Sequence, residues 1–120
     1  MWQGVDNRKF PRVNCPCEVT VFIKGQKEEI RTHTENIGVG GICVSLSKEL
    51  ARYHSVDLIL RLKDEFEPVV CEARVVWSVK SKDYFDTGIE FLNINDSDVS
   101  RIERLVEVCL KTSQNSSIKK

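Results

Sequence analysis

The chain has 120 residues, enough for one domain with a modest core and too few for two of ordinary size. Lys plus Arg number 18 and Asp plus Glu number 18, so the formal charge is zero and the basic footprint of a general DNA or RNA binder is missing. No stretch reaches the length of a membrane span and MWQGVDNRKF lacks the apolar run of a signal peptide, so no membrane insertion and a cytoplasmic setting are expected, with the five cysteines (Cys15, Cys17, Cys43, Cys71, Cys109) reduced and mostly buried.

The first distinctive segment, NRKFPR at residues 7–12, sets Arg8 and Arg12 four residues apart around a proline. Pro11 lacks a backbone donor and biases Phe10 toward extended geometry, so the segment reads as an arm leading into the first strand. Guanidinium is planar and always charged, gives bidentate pairs to phosphate or to the O6 and N7 edge of guanine, and stacks on bases. Two of them suit a ligand that carries both phosphates and purines. The spacing taken alone is equally that of solvated arginines or of partners for Asp6 and Glu18.

In EVTVFIKG, from Glu18, the residues Val19, Val21 and Ile23 share one face before Gly25 breaks the pattern, which predicts a strand and a turn. EEIRTHT reads as a charged second strand. The glycine-rich NIGVGG follows, and then GICVSL, in which Ile42, Val44 and Leu46 share a face. Three glycines permit positive φ and close backbone approach, so consecutive amides there can form an anion-accepting concavity beside Asn36, or simply a tight turn.

SVDLILRL places Val56, Leu58, Leu60 and Leu62 on one side, VVCEARVVWSV does the same with Cys71, Ala73, Val75 and Trp77, and YFDTGIEFL with Phe85, Thr87, Ile89 and Phe91. Trp77 is therefore expected in the core. Beyond Asp96, where that residue or a neighbour can cap, Val99, Ile102, Leu105, Val106 and Cys109 recur at helical spacing. The pattern predicts an all-β domain: a six- or seven-stranded antiparallel barrel, closed or nearly so, with a C-terminal α-helix covering an end or flank. The domain is expected over residues 1–112, with the arm at about 1–16, and the polar stretch from 113 to 120 is expected to be a flexible tail.

Catalysis needs a nucleophile with its base, or two carboxylates in differing environments, and no such set can be named; Glu72 and Glu90 face away from the apolar side of their strands. The Cys15-Pro16-Cys17 sequence suggests a metal or redox pair, but structural zinc takes four ligands and only His33 and His54 remain, far apart in sequence. Neither an enzyme nor a metal site is expected.

Taken together, the arm, the glycine-rich segment and the later strands resemble a PilZ domain, the bacterial module that binds the second messenger cyclic di-GMP. The family pattern is an RxxxR arm followed by a [D/N]xSxxG motif. Arg8 and Arg12 match the arm, and Asn36 and Gly41 match the first and last positions of the second motif, whose serine position holds Gly38. GGI at 40–42, ARVVW at 73–77 and TGIEF at 87–91 resemble the family's later strands, so the likeness runs from about Asn7 to Leu110.

The resemblance implies a non-enzymatic receptor whose ligand is cyclic di-GMP, as a single molecule or a stacked dimer, with no cofactor. Arg8 and Arg12 would grip guanine bases and phosphates, Asn36 would contact a guanine edge, and Gly41 would let the backbone turn beneath it. Gly38 would offer no hydroxyl, which weakens binding rather than abolishing it, since the arginines make the charge-assisted contacts. Ligand-driven closure of the arm would alter contacts with a protein effector in motility, adhesion or exopolysaccharide control. The alternative is an adaptor of the same fold that binds no nucleotide and works through protein contacts alone.

Overall fold

The computed structural model describes residues 12–118, with side chains through residue 111. Arg8, the first eleven residues of the arm and the last two residues of the tail lie outside the described residues. The six strands are β1 (Glu18–Ile23), β2 (Glu29–Gly38), β3 (Gly41–Leu46), β4 (Ser55–Arg61), β5 (Val69–Ser81) and β6 (Tyr84–Asn93), followed by α1 (Asp96–Ile118). They close into an antiparallel barrel in the order β1-β2-β3-β6-β5-β4. This is the all-β architecture expected from the sequence, with six strands.

Alternation explains the closure. Val19, Val21 and Ile23 of β1, Ile42, Val44 and Leu46 of β3, Val56, Leu58 and Leu60 of β4, and Ala73 and Val75 of β5 all point inward and are buried. Burial of each large aliphatic side chain contributes roughly 1.5–3 kcal/mol, and a closed barrel leaves no unpaired strand edge along its wall.

Helix α1 begins where Asn95, a neighbour of Asp96, caps it: Asn95 Oδ1 accepts from the Asp98 amide at 2.9 Å and from Ser97 Oγ at 2.8 Å. Ile102 and Val106 are buried in the common core, with Leu105, Cys109 and Leu110 packed against it, so the helical stripe closes the barrel. Arg101 fastens the first turns to the β4–β5 loop, its Nε and Nη2 donating to the two oxygens of Asp64 at 3.0 and 2.9 Å and its Nη1 to Asp98 at 2.9 Å. The helix continues to Ile118, so the polar stretch expected to be a tail from residue 113 is helical as far as residue 118.

Two departures from simple alternation matter for function. The segment before β1, read from the sequence as an arm leading into the first strand, contributes Val13, Cys15 and Cys17 to the core. Their alternation with Asn14 and Pro16 is strand-like, and an isolated bridge pairs Val13 with Ile37. The second departure is a set of three register shifts, between Thr34 and Asn36 in β2 and between Glu72 and Ala73 and between Val75 and Trp77 along β5, of which the first and last bear on the site. A bulge shifts the register, so residues beyond it change face.

Candidate functional site

The bulge in β2 works with an anchor for the arm. Thr34, 2% exposed, accepts a bond from the Cys17 amide at Oγ1 (2.9 Å) and donates its hydroxyl proton to the Cys15 carbonyl (2.9 Å), while its own amide donates to the Cys17 carbonyl at 2.9 Å. Two residues further along, the Val13 and Ile37 backbones exchange bonds of 3.0 and 2.9 Å. Arg12 is the residue beside that clamp. Its Nη1 donates to Asn36 Oδ1 at 3.4 Å, joining residues 24 positions apart in sequence.

From Asn36 the outer surface runs across four strands. The register aligns Asn36 with Cys43, Cys43 with Gly88, and Gly88 with Trp77. The adjacent row aligns Gly38, Gly41, Glu90 and Arg74. Gly38, Gly41 and Cys43 thus form a floor of small residues, with Arg12 and Asn36 at one side and, at the other, Glu90, Arg74 and the Trp77 indole seated on Gly88.

Gly41 and Gly88 each have their own physical reason. A Cβ on Gly41 would sit 3.0 Å from Glu90 Cα and closer still to the Ile89 carbonyl oxygen, so the approach of β3 to β6 requires its absence. A Cβ on Gly88 would run into the Trp77 indole, for which Gly88 is the seat. Left-handed geometry is not the reason: among the described glycines the positive φ belongs to Gly25. Residues 38–41 therefore do not form the positive-φ loop that three glycines permit. Gly38 closes β2, Gly41 opens β3, and Val39 and Gly40 make a two-residue turn between them.

Trp77 corrects the sequence expectation. Strict alternation from Cys71 places it in the core, but the bulge after Val75 turns it outward opposite Gly88, half-buried, on the same surface as Asn36. Glu90, expected to be simply solvated, is bonded by Arg74 through both Nε (2.8 Å) and Nη2. Glu72 likewise pairs with Lys24 Nζ at 2.8 Å.

The electrostatics at the Asn36 end are mixed. Ser45 Oγ lies 2.7 Å from Glu35 Oε2 and 3.2 Å from Asp86 Oδ1, placing an acidic pair along the next row. Burial pushes the Cys43 thiol up to about 11, Asp86 and Glu35 add to the rise, and the Arg12 guanidinium opposes it. A protonated, buried thiol is inert, so Cys43 serves as a small floor residue rather than a nucleophile. Cys15, Cys17 and Cys71 are also free and buried, Cys109 is half-buried, and among the described residues no cluster of three or more His, Cys, Asp and Glu side chains is placed to hold a metal.

Of the residues singled out from the sequence, Arg12, Asn36, Gly38 and Gly41 come together on this surface, and Arg8 lies outside the described residues. Sequence reasoning missed Gly88, Trp77 and Arg74. A glycine inside the strand pattern TGIEF is itself a sign of close approach and points to Gly88. Nothing in an alternating run announces the bulge that turns Trp77 outward.

The family profile described as the PilZ domain matches residues 6–108. Among solved structures, the inhibitor of motility MotI/DgrA of Bacillus subtilis superposes with a TM-score of 0.74 at 25% identity, over 90% of this chain and 52% of that one. The PilZ domain of Escherichia coli YcgR with c-di-GMP gives 0.71 at 12% identity, over 94% and 98%. The PilZ domain of CeSA from a cellulose-synthesizing bacterium gives 0.60 at 19% identity, over 80% and 94%. The chain spans about half the length of the MotI/DgrA chain it matches. No curated protein matches the sequence significantly.

Proposed function

The chain belongs to the PilZ domain family, and from that premise we propose that it is a receptor for cyclic di-GMP, read out through protein contacts. The observation that carries the reading is the contact of Arg12 with Asn36 at the rim of the glycine floor, because it joins one member of each family motif across 24 residues. Three of the solved relatives, the isolated YcgR PilZ domain, the longer YcgR chain and K. pneumonia MrkH, are described with c-di-GMP.

The chemistry fits a guanine dinucleotide. The Arg12 donors can turn from Asn36 to a phosphate oxygen or to guanine O6 and N7, leaving the Asn36 amide free to read a base edge. Gly38 and Gly41 let a flat base approach the backbone, and the outward Trp77 supplies an aromatic face across the floor. Arg8, four residues before Arg12 in sequence, completes the clamp when the arm folds over the ligand. The signal is then the altered surface, since the receptor has no chemistry to perform on the nucleotide.

Gly38 favours the second reading, an adaptor of this fold that does not bind the nucleotide, because its position lacks the hydroxyl of the family motif. Arg8→Ala and Arg12→Ala separate the two. In the receptor, each abolishes binding of cyclic di-GMP in a calorimetric titration while the melting temperature stays within a few degrees of the parent. Unchanged affinity in both variants overturns the proposal.

A further inference from the structure

Tyr53 is unusual on three counts. It is 59% exposed, a large aromatic left outside the barrel. Its φ is +70°, in the left-handed region that a bulky side chain seldom adopts. The conformation is held from within, the Tyr53 amide donating to the Val75 carbonyl at 2.7 Å and the His54 amide to the Ala51 carbonyl at 3.1 Å, while the Val75 amide returns a bond to His54 at 3.0 Å. The fold thus maintains a strained turn whose result is an aromatic ring presented to solvent.

The ring is further fixed by cations. The guanidinium carbons of Arg52 and Arg74 lie over it at 5.1 and 5.7 Å from its centroid. Arg74 is immobilised by Glu90, which in the strand register stands opposite Gly41 of the candidate ligand floor. Arg52 makes no ion pair among the described residues. A rigid tyrosine between arginines is the composition of an interface hot spot, and its one carboxylate is already engaged by Arg74. The unused donors are those of Arg52 and the remaining nitrogen of Arg74, both suited to a carboxylate.

We infer that Arg52, Tyr53 and Arg74 form the docking point for an effector protein that presents carboxylates beside an apolar side chain. This rests on the receptor reading only in its second half: the row Gly38, Gly41, Glu90, Arg74 makes the docking point continuous with the ligand floor, so an effector seated on Tyr53 also senses what lies on the floor. The first half, the acidic preference, stands on the donors of Arg52 and Arg74 beside the Tyr53 ring.

The test is an NMR titration of the full chain with a synthetic peptide alternating glutamate and leucine, and with its lysine counterpart. The glutamate peptide is expected to shift resonances of residues 52–54 and 74, and the lysine peptide to leave them in place. Tyr53→Asn, which keeps a residue tolerant of left-handed φ and so preserves the turn, should abolish the shifts, and Arg52→Glu should reverse the preference toward the lysine peptide. Equal response to both peptides, shifts centred elsewhere, or full binding by both variants overturns the docking point. Saturating cyclic di-GMP should change the peptide affinity at least threefold; an unchanged affinity with nucleotide demonstrably bound overturns the coupling alone. Failure of the nucleotide to bind overturns the receptor reading and the coupling together, and leaves the peptide arms to decide the surface.

Discussion

Thr34→Val replaces a hydroxyl by a methyl of nearly the same volume at a site 2% exposed, so packing is conserved and the hydrogen bonds alone are removed. The Cys17 amide loses its partner and the Cys15 carbonyl, also 2.9 Å from Thr34 Oγ1, keeps only the weak bond from the Cys17 thiol at 3.5 Å. An orphaned buried polar group costs on the order of 1–3 kcal/mol, and relaxation of the arm lets water reach part of the site, so the sum is about 2–4 kcal/mol. For a domain of this size that corresponds to a fall in melting temperature of roughly 10 °C. Because Cys15 and Cys17 anchor the segment that carries Arg12, the variant should also weaken nucleotide binding several-fold, with no ligand-contacting atom removed. Denaturant unfolding and calorimetric titration measure the two effects, and Thr34→Ser, which keeps the hydroxyl, should restore both. A Thr34→Val protein within about 0.5 kcal/mol of the parent, a change typical of surface substitutions, would refute the view that this hub fixes the arm.

Three further outcomes follow from the same geometry. Gly41→Ala forces a methyl group into the β6 backbone at Ile89 and should cost about 3 kcal/mol, the upper end of overpacking, whereas Gly40→Ala, with nothing within 4 Å of its added carbon, should be neutral in a parallel melt. Gly38→Ser meets no left-handed φ and restores the hydroxyl of the family motif, so it should tighten binding of cyclic di-GMP in a titration beside the parent. Hydrogen bonding from Arg101 holds the Asp64 carboxyl below its ordinary value of 3.8, so the stability this pair contributes is complete above that pH and is lost as the pH falls through the lower folded value. Asp64→Asn should therefore be less stable than the parent at pH 7, with the gap narrowing below pH 3.8 in acid-denaturation curves.

The strands were legible because a barrel wall imposes one rule on every residue: Val19, Val21 and Ile23, or Ile42, Val44 and Leu46, face inward by alternation, and turns interrupt them. The helix was legible for the same reason at a different period, through Ile102, Val106 and their neighbours. Illegible were the places where one added residue shifts the rule. The bulge at Val75 and Trp77 moves an indole from the core to the outer surface, and the bulge at Thr34 and Asn36 brings Asn36 opposite Cys43, with neither marked by glycine or proline within it. The inward turn of Val13, Cys15 and Cys17 depends on the Thr34 side chain 17 to 19 residues away, a long-range bond that no local pattern encodes. Of the candidate site, Arg12, Asn36 and Gly41 were readable through their motif spacing, while Trp77 and Arg74 required the register.

The measurement that bears most directly on the central claim is a calorimetric titration of the full chain with cyclic di-GMP, with GTP and cyclic GMP as controls. Saturable binding at micromolar concentration or tighter, selective for the dinucleotide, is the predicted result. No heat, together with unchanged NMR spectra at saturating nucleotide, would contradict the receptor reading and leave the adaptor.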